Sequence, residues 1–215
     1  MSKASSQRNL VPFIQSDLKE KMVFLSGPRQ VGKTTLALKL LQGDESHPAY
    51  FNWDDEDDQK KLLNKEFPPN QKLLVFDEIH KFKRWRNWLK GIYDKTKSKH
   101  QYLITGSARL DLYRRGGDAL TGRYHSYLLH PLSLKEADAD CRVETFEALL
   151  KFGGFPEPFF AQSETKLRRW QTERNKQVLQ EDLRDLEKVE EIVLIGRLTE
   201  RLPELIGSPN ISWTH

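Results

Sequence analysis

Short apolar runs alternate with amphipathic segments between Met22 and Leu129. Runs of this kind, bounded by glycine, proline or polar residues, are typical of strands buried on both faces of a sheet. They predict five strands: Met22–Ser26, Ala49–Trp53, Lys72–Phe76, Gln101–Thr105 and Tyr124–Leu129. Apolar positions at helical spacing predict helices between them, at Lys33–Gln42 and Trp85–Tyr93. This alternation indicates the α/β class, with a mainly parallel sheet covered by helices.

The pattern changes from Glu144 onward, where no segment is typical of a strand. Apolar residues at helical spacing within Glu164–Leu205 predict a small helical region instead. We therefore expect three parts: an N-terminal leader at 1–21, an α/β domain at 22–140 and a helical region at 141–215.

The loop that joins the first predicted strand to the first predicted helix has the sequence GPRQVGKTT and matches G-x-x-x-x-G-K-[ST]. Two glycines let its backbone N–H groups wrap an anion, and the helix N-terminus adds positive potential. Lys33 is placed to meet the terminal phosphates, and the Thr34 hydroxyl is placed to coordinate Mg²⁺. We predict an ATP/ADP and Mg²⁺ site formed by Gly27, Pro28, Arg29, Gln30, Val31, Gly32, Lys33, Thr34 and Thr35.

Two carboxylates, Asp77 and Glu78, directly follow the third predicted strand. In an α/β sheet the carboxyl ends of the strands face the ligand, so both carboxylates are expected near the phosphates. Asp77 would hold the magnesium ion through a water molecule, and Glu78 would orient and deprotonate the attacking water. The alternative is an acidic pair that caps the next helix or pairs with Lys81 and Lys83.

The fourth predicted strand ends in Thr105, Gly106 and Ser107. Such a strand usually lies between the two strands that carry the motifs above, so Thr105 or Ser107 is predicted to contact the γ-phosphate or the water. Ordinary turn chemistry explains the same residues equally well.

An arginine precedes the fifth predicted strand, where its guanidinium could reach a phosphate, including one held by a neighbouring subunit. This residue, Arg123, is a candidate catalytic group, although a solvated surface arginine is an equally good interpretation. Three other arginines compete for the role: Arg109, Arg114 and Arg115.

Five segments together give the chain a resemblance to a known family: GPRQVGKTTLA, FDEIHK, ITGSARL, LTGRYHSYLLHPLS and GGFPEPF. The chain resembles prokaryotic AAA+-type P-loop ATPases in which the ATPase core precedes a C-terminal domain of unknown function. The resemblance implies an AAA+ sheet with a small helical lid, and an arginine finger at Arg123. It also implies that Gly154 and Pro156 form a lid element near the nucleotide. Members look longer than this chain, so we expect it to be truncated at its C-terminus.

Composition adds limits to the functional interpretation. The 35 basic and 31 acidic residues leave a net charge of +4, which permits nucleic-acid binding without indicating it. Cys141 is the single cysteine, so an internal disulfide and a cysteine-based zinc site are excluded. No apolar run approaches the length of a membrane span, and the expected location is the cytoplasm.

These features predict a protein that hydrolyses ATP to ADP and phosphate with Mg²⁺ and couples the nucleotide state to a conformational change. The alternative is a nucleotide-held switch with little turnover that acts on DNA or a protein. The expected partners are a nucleotide, an unidentified protein and further copies of the chain joined through Arg123, and a membrane is not expected.

Overall fold

The computed structural model describes residues 8–106 and 120–178 and contains a parallel α/β sheet. Its strands are β1 (Met22–Ser26), β2 (Tyr50–Asn52), β3 (Leu73–Asp77), β4 (Gln101–Thr105) and β5 (Tyr124–Leu128). All five predicted strands are present, and each bound lies within one residue of the prediction. The α/β fold class is therefore confirmed.

Eight α-helices lie in the described residues: α1 (Val11–Asp17), α2 (Lys33–Leu41), α3 (Glu56–Asn64), α4 (Trp85–Thr96), α5 (Leu134–Ala137), α6 (Val143–Phe152), α7 (Pro156–Ala161) and α8 (Glu164–Gln177). A single 3₁₀ turn, Ile79–Lys81, follows β3. Among these helices, none is long and apolar enough to span a bilayer.

The strand order is β2-β3-β4-β1-β5, and every neighbouring pair is parallel. The fourth strand thus lies between β3 and β1, as predicted. This order brings the carboxyl end of β3 close to that of β1, with only β4 between them. The residues that follow these strands therefore converge on one edge of the sheet.

The central strand β1 is buried on both faces. Met22 and Phe24 face a core that includes residues of α3 and α4, whereas Val23 and Leu25 face a core that includes residues of α1 and α2. Alternate side chains of a strand point to opposite faces, so an uninterrupted apolar run is what a sheet covered on both sides requires.

The N-terminal segment contains a helix that the predicted leader at 1–21 did not include. Ile14 and Leu18, on α1 and at its C-terminal cap, are buried in the core beside β1. Leu10, Ile14 and Leu18 are four residues apart, which is the spacing of one helix face. The helix begins with Pro12 in its first turn, a position where proline costs no hydrogen bond.

The chain divides into two compact units, residues 1–160 and residues 161–215. The first unit contains the sheet and the segment that follows it as far as α7. This division falls later than the predicted boundary between residues 140 and 141. In the second unit, the described residues form α8, which carries the buried Trp170.

Candidate nucleotide site

The loop between β1 and α2 has a backbone that few residue types can adopt. Gly32, the N-cap of α2, has φ +96°, a left-handed value that strains residues with a Cβ atom. A Cβ atom on Gly27 would lie 2.5 Å from the Leu129 carbonyl oxygen, so only glycine fits against the end of β5. Val31 is fully buried and anchors the loop in the core.

Lys33 begins α2 and is almost completely buried. Its Nζ atom donates hydrogen bonds to the carbonyl oxygens of Gly27, at 3.0 Å, and Pro28, at 2.9 Å. The loop thus holds the ammonium group close to its own backbone. Of the other predicted loop residues, Pro28, Arg29 and Thr34 are partly buried, whereas Gln30 and Thr35 are exposed.

Asp77 is the point at which three hydroxyl groups converge. Its Oδ2 atom accepts hydrogen bonds from Thr34 Oγ1 at 2.7 Å and from the Tyr50 hydroxyl at 2.9 Å, and its Oδ1 atom accepts one from Thr105. The carboxylate is 4% exposed, and an ionised carboxylate acts only as an acceptor. The four residues come from β3, α2, β2 and β4, so the sheet order itself assembles the cluster.

The oxygen atoms at this cluster suit magnesium. Thr34 Oγ1 and Asp77 Oδ2 are 2.7 Å apart. Hydroxyl and carboxylate oxygens are also the hard ligands that Mg²⁺ prefers. The residues present therefore fit the ion that the sequence predicts.

Tyr50 belongs to this cluster, although the sequence analysis treated it only as part of a strand. Burial raises the pKa of its hydroxyl, and the charge of Asp77 raises it further. The phenol therefore stays protonated and remains a hydrogen-bond donor to Asp77. A tyrosine within a predicted strand gives no sequence signal for such a role, because aromatic residues are common in strands for packing reasons alone.

Glu78 adopts a left-handed backbone conformation, with φ 56° and ψ 18°. Its N–H group donates to the Thr105 carbonyl oxygen at 3.0 Å, which fixes the turn after β3. Burial raises the pKa of its carboxyl group, and the neighbouring Asp77 charge adds to the shift. Its Oε2 atom lies 3.6 Å from His80 Nε2 and 3.9 Å from Lys81 Nζ. Non-glycine residues in this conformation cost about 1–3 kcal/mol and occur preferentially at functional sites.

Thr105 and Ser107 were alternatives for one contact. Thr105 is fully buried, and its hydroxyl donates to Asp77. The structure thus brings Thr105 into the carboxylate cluster, whereas Ser107 lies outside the described residues. Arg109, Arg114 and Arg115 also lie outside them. The γ-phosphate contact predicted for this strand end stays a prediction.

Arg123 lies at the other edge of the sheet. In the parallel pairing of β1 with β5, Met22 lies beside Tyr124 and Ser26 lies beside Leu128. Arg123 therefore lies next to the amino end of β1. Five residues of strand, about 16 Å, separate this edge from the glycine loop. Arg123 thus lies far from the phosphate site that the sequence predicts at its own glycine loop, and its catalytic role stays a prediction. The guanidinium instead donates to Asp94, from Nε at 2.9 Å and from Nη2 at 3.1 Å. A role towards a neighbouring subunit stays a prediction.

The segment that carries Gly154 and Pro156 lies beside the glycine loop. A Cβ atom on Gly32 would lie 3.9 Å from Pro156 Cγ. The Gly154 carbonyl oxygen accepts from the Leu132 N–H group at 2.7 Å, and a Cβ atom on Gly154 would lie 2.6 Å from the Leu132 carbonyl oxygen. This glycine permits the close approach, whereas its contact with a nucleotide stays a prediction.

Arg8 is a further residue that the sequence analysis assigned to the leader. Its Nη2 atom donates to the carbonyl oxygens of Val31, at 2.9 Å, and His130, at 2.7 Å. Its Nη1 atom lies 3.4 Å from Glu136 Oε2. One buried guanidinium thus connects the glycine loop to the segment that follows β5. No local motif marks this residue, since its partners are far away in the sequence.

The parallel sheet, the glycine loop and the cluster around Asp77 together define a nucleotide-binding α/β protein of the P-loop class. The sequence profile of the AAA domain family matches residues 19–137, which is more than half of the chain. The chain therefore belongs to the AAA domain family, a family of nucleotide-binding, ATPase-like proteins.

Two curated relatives are mycobacterial proteins described as uncharacterized: Mb2031c of Mycobacterium bovis and Rv2008c of Mycobacterium tuberculosis. Each is 27% identical over 167 residues, which cover 77% of this chain and 36% of the relative. The chain thus spans little more than a third of the length of these relatives.

Similar solved structures include the Hsp104–ADP complex of S. cerevisiae and the RuvB Holliday junction branch migration motor of Thermotoga maritima. The first is 14% identical, with a TM-score of 0.44, and the match covers 91% of this chain and 37% of that one. The second is 20% identical, with a TM-score of 0.39, and covers 67% and 51%.

Proposed function

We propose that this protein is an ATPase that hydrolyses ATP to ADP and phosphate with Mg²⁺ and couples the nucleotide state to a conformational change. The observation that carries the proposal is the 2.7 Å contact between Thr34 Oγ1 and Asp77 Oδ2. It joins the first turn of the helix after the glycine loop to the end of β3. Phosphoryl transfer relies on positioning and electrostatic stabilisation, and both depend on such a fixed arrangement.

Each residue of the cluster has a separate task in the proposed reaction. The backbone of Gly27–Thr35 would bind the β- and γ-phosphates, and Lys33 would exchange its bonds to two carbonyl oxygens for bonds to phosphate. Thr34 and Asp77 would hold magnesium, which neutralises charge on the phosphates when bound. Tyr50 and Thr105 would keep the Asp77 carboxylate in place.

Glu78 is the proposed general base. It would take a proton from the attacking water while the water oxygen bonds to the γ-phosphorus and the bond from that phosphorus to the bridging oxygen of ADP breaks. Its raised pKa makes the carboxylate a stronger base than an exposed glutamate.

A switch with little turnover is the second candidate, and one observation favours it. The Glu78 carboxylate lies near His80 Nε2 and Lys81 Nζ, so two neighbouring groups compete with water for it. If those contacts persist with ATP bound, the protein would hold the nucleotide and hydrolyse it slowly.

Steady-state phosphate release separates the two candidates. The wild-type chain is compared with Glu78→Gln, which keeps the shape of the side chain, and with Glu66→Gln as a matched control at an exposed position. Hydrolysis predicts a loss of about 10²–10⁴-fold for Glu78→Gln and no change for the control. A slow wild-type rate that Glu78→Gln leaves unchanged, together with tight ATP binding, would support the switch.

The remaining parts of the proposal concern partners and compartment. Association of copies through Arg123 would first require the guanidinium to leave Asp94. A mass measurement in solution with and without Mg·ATP tests it, and a mass that stays monomeric would remove the role of Arg123.

Cys141 is exposed and free, which suits the cytoplasm, the proposed compartment. The protein partner is proposed as a class only.

A further inference from the structure

A concave feature lies at the amino edge of the sheet. It is a cavity of about 200 Å³ between the turn after α1, the start of β3 and the turn before β4. Five lysines line it, and we call it the lysine recess: Lys19, Lys21, Lys72, Lys97 and Lys99. Parallel strands of about 16 Å separate it from the glycine loop, so it is distinct from the nucleotide site.

The lining of the lysine recess has a net positive charge. Its five lysines and one acidic residue, Glu20, give it a net charge of +4, with His100 neutral. The whole chain also has a net charge of +4, so the rest of it is neutral on balance. The lining of the recess is therefore more basic than the chain as a whole, in which charges of both signs are mixed along the sequence.

The lysine ammonium groups are available to a ligand. Among the described residues, no carboxylate lies within 4.0 Å of any of the five Nζ atoms. Four of the lysines are exposed, and Lys21 is partly buried. Asp94 is the nearby acid on α4, and Arg123 already occupies both of its oxygen atoms. Like charges that lie close together raise the local potential and attract anions.

The walls of the recess are held by hydrogen bonds between its three segments. The Gln101 N–H group donates to the Lys72 carbonyl oxygen at 2.7 Å. His100 Nδ1 lies 2.8 Å from the Gln71 carbonyl oxygen, and the Tyr93 hydroxyl donates to the Glu20 carbonyl oxygen at 3.4 Å. The lysines thus project from a fixed backbone.

The chemistry of the lining indicates phosphate rather than a base or an enclosed metabolite. Lysine binds phosphate as a point charge, and the recess is lined by lysines rather than by the planar forks of arginine that give bidentate recognition. The aromatic residue of the lining, Tyr93, is buried in the core and offers no ring for stacking. The volume is below the roughly 300–1,000 Å³ of pockets that enclose a drug-sized ligand, but several flexible ammonium groups can follow a chain of phosphates.

We propose that the lysine recess binds the phosphate backbone of a nucleic acid without reading its sequence. This inference does not depend on ATP hydrolysis at the other edge of the sheet. A nucleic acid bound there would contact the turns that precede β1, β3 and β4, and the carboxyl ends of these three strands face the nucleotide site.

Fluorescence anisotropy of a labelled oligothymidylate, titrated with the full chain in EDTA, tests the proposal. If the net charge of +4 neutralises four phosphates of a single strand, the affinity should fall about fiftyfold between 50 and 200 mM salt. A triple variant, Lys72→Gln, Lys97→Gln, Lys99→Gln, leaves the recess with a net charge of +1. We expect it to bind the oligonucleotide more weakly at low salt and to lose only about threefold in affinity over the same salt range. These side chains are exposed, so the variant should fold, which circular dichroism checks.

A matched control removes the same charge elsewhere, through Lys65→Gln, Lys135→Gln and Lys166→Gln, and should keep the wild-type salt dependence. The proposal is overturned if no oligonucleotide binds at low salt, or if the control weakens binding as much as the recess variant. It is also overturned if polyglutamate competes as well as DNA, because any polyanion would then suffice. Displacement of DNA by ADP would assign the binding to the glycine loop instead, and ADP binding measured separately reports on the proposed function.

Discussion

Replacing Tyr50 by phenylalanine removes one donor from the Asp77 carboxylate and leaves the ring in place. A hydrogen bond to a charged group contributes about 1.5–3 kcal/mol, and the buried carboxylate gains no water in exchange. We therefore expect the free energy of unfolding to fall by about 1.5–3 kcal/mol, and the melting temperature to fall by about 3–12 °C for a chain of this size. Freed from one of its donors, Asp77 should also hold magnesium less firmly.

Tyr102→Phe is the matched control for this change. Tyr102 is also buried, but its hydroxyl bonds to the neutral Thr96 Oγ1, a bond worth about 0.5–1.5 kcal/mol. Thermal unfolding should show a larger loss of stability for Tyr50→Phe than for Tyr102→Phe. Calorimetry with ATP, in Mg²⁺ and in EDTA, should show that Mg²⁺ increases the affinity for ATP less in Tyr50→Phe than in Tyr102→Phe. Equal stability losses in the two variants, with the Mg²⁺ gain unchanged, would refute the assigned role of Tyr50.

Two further predictions concern Glu78 and Arg8. Because the base must be deprotonated and its pKa is raised, phosphate release should increase with pH through a pKa above that of an exposed glutamate. A pH profile that is flat down to the ordinary glutamate pKa would contradict this role. Arg8→Ala should lower the free energy of unfolding by about 2–3 kcal/mol and weaken nucleotide binding, because the carbonyl oxygens of Val31 and His130 lose their donor. Denaturant unfolding checks this, with exposed Arg84→Ala as the control, and equal midpoints for both variants would show that the contacts of Arg8 are unimportant.

The strands could be predicted from the sequence because each is buried on both faces. Such strands appear as continuous apolar runs, and their ends are marked by residues such as Gly27 and Asp77. The glycine loop was equally predictable, since its backbone conformation restricts the residue types it accepts. Both signals are local in the sequence.

Residues whose partners are distant in the chain could not be found in this way. Arg8 contacts residues more than a hundred positions away, and Tyr50 meets Asp77 only because β2 and β3 are neighbours. The lysine recess draws its charges from three separate segments, which the sequence leaves interspersed with acids. The helix α1 was missed for another reason, because its polar flanks outweighed the spacing of Ile14 and Leu18.

The position of Arg123 shows a limit of reasoning from order along the chain. It precedes a strand, as predicted, but the parallel pairing of β1 with β5 places it at the amino edge. The direction of β5 relative to β1 decides at which edge of the sheet Arg123 lies. At the amino edge, its guanidinium is within hydrogen-bond distance of Asp94.

The most direct test of the nucleotide site is isothermal titration calorimetry of the folded chain with Mg·ATP and with ATP in EDTA, for the wild type and for Asp77→Asn. We predict one bound nucleotide per chain, tighter binding in the presence of Mg²⁺, and a loss of that Mg²⁺ effect in Asp77→Asn with binding in EDTA retained. Absence of heat with either form of ATP, together with no competition against a labelled nucleotide, would contradict the assignment of the Gly27–Thr35 loop and Asp77 to nucleotide and magnesium binding.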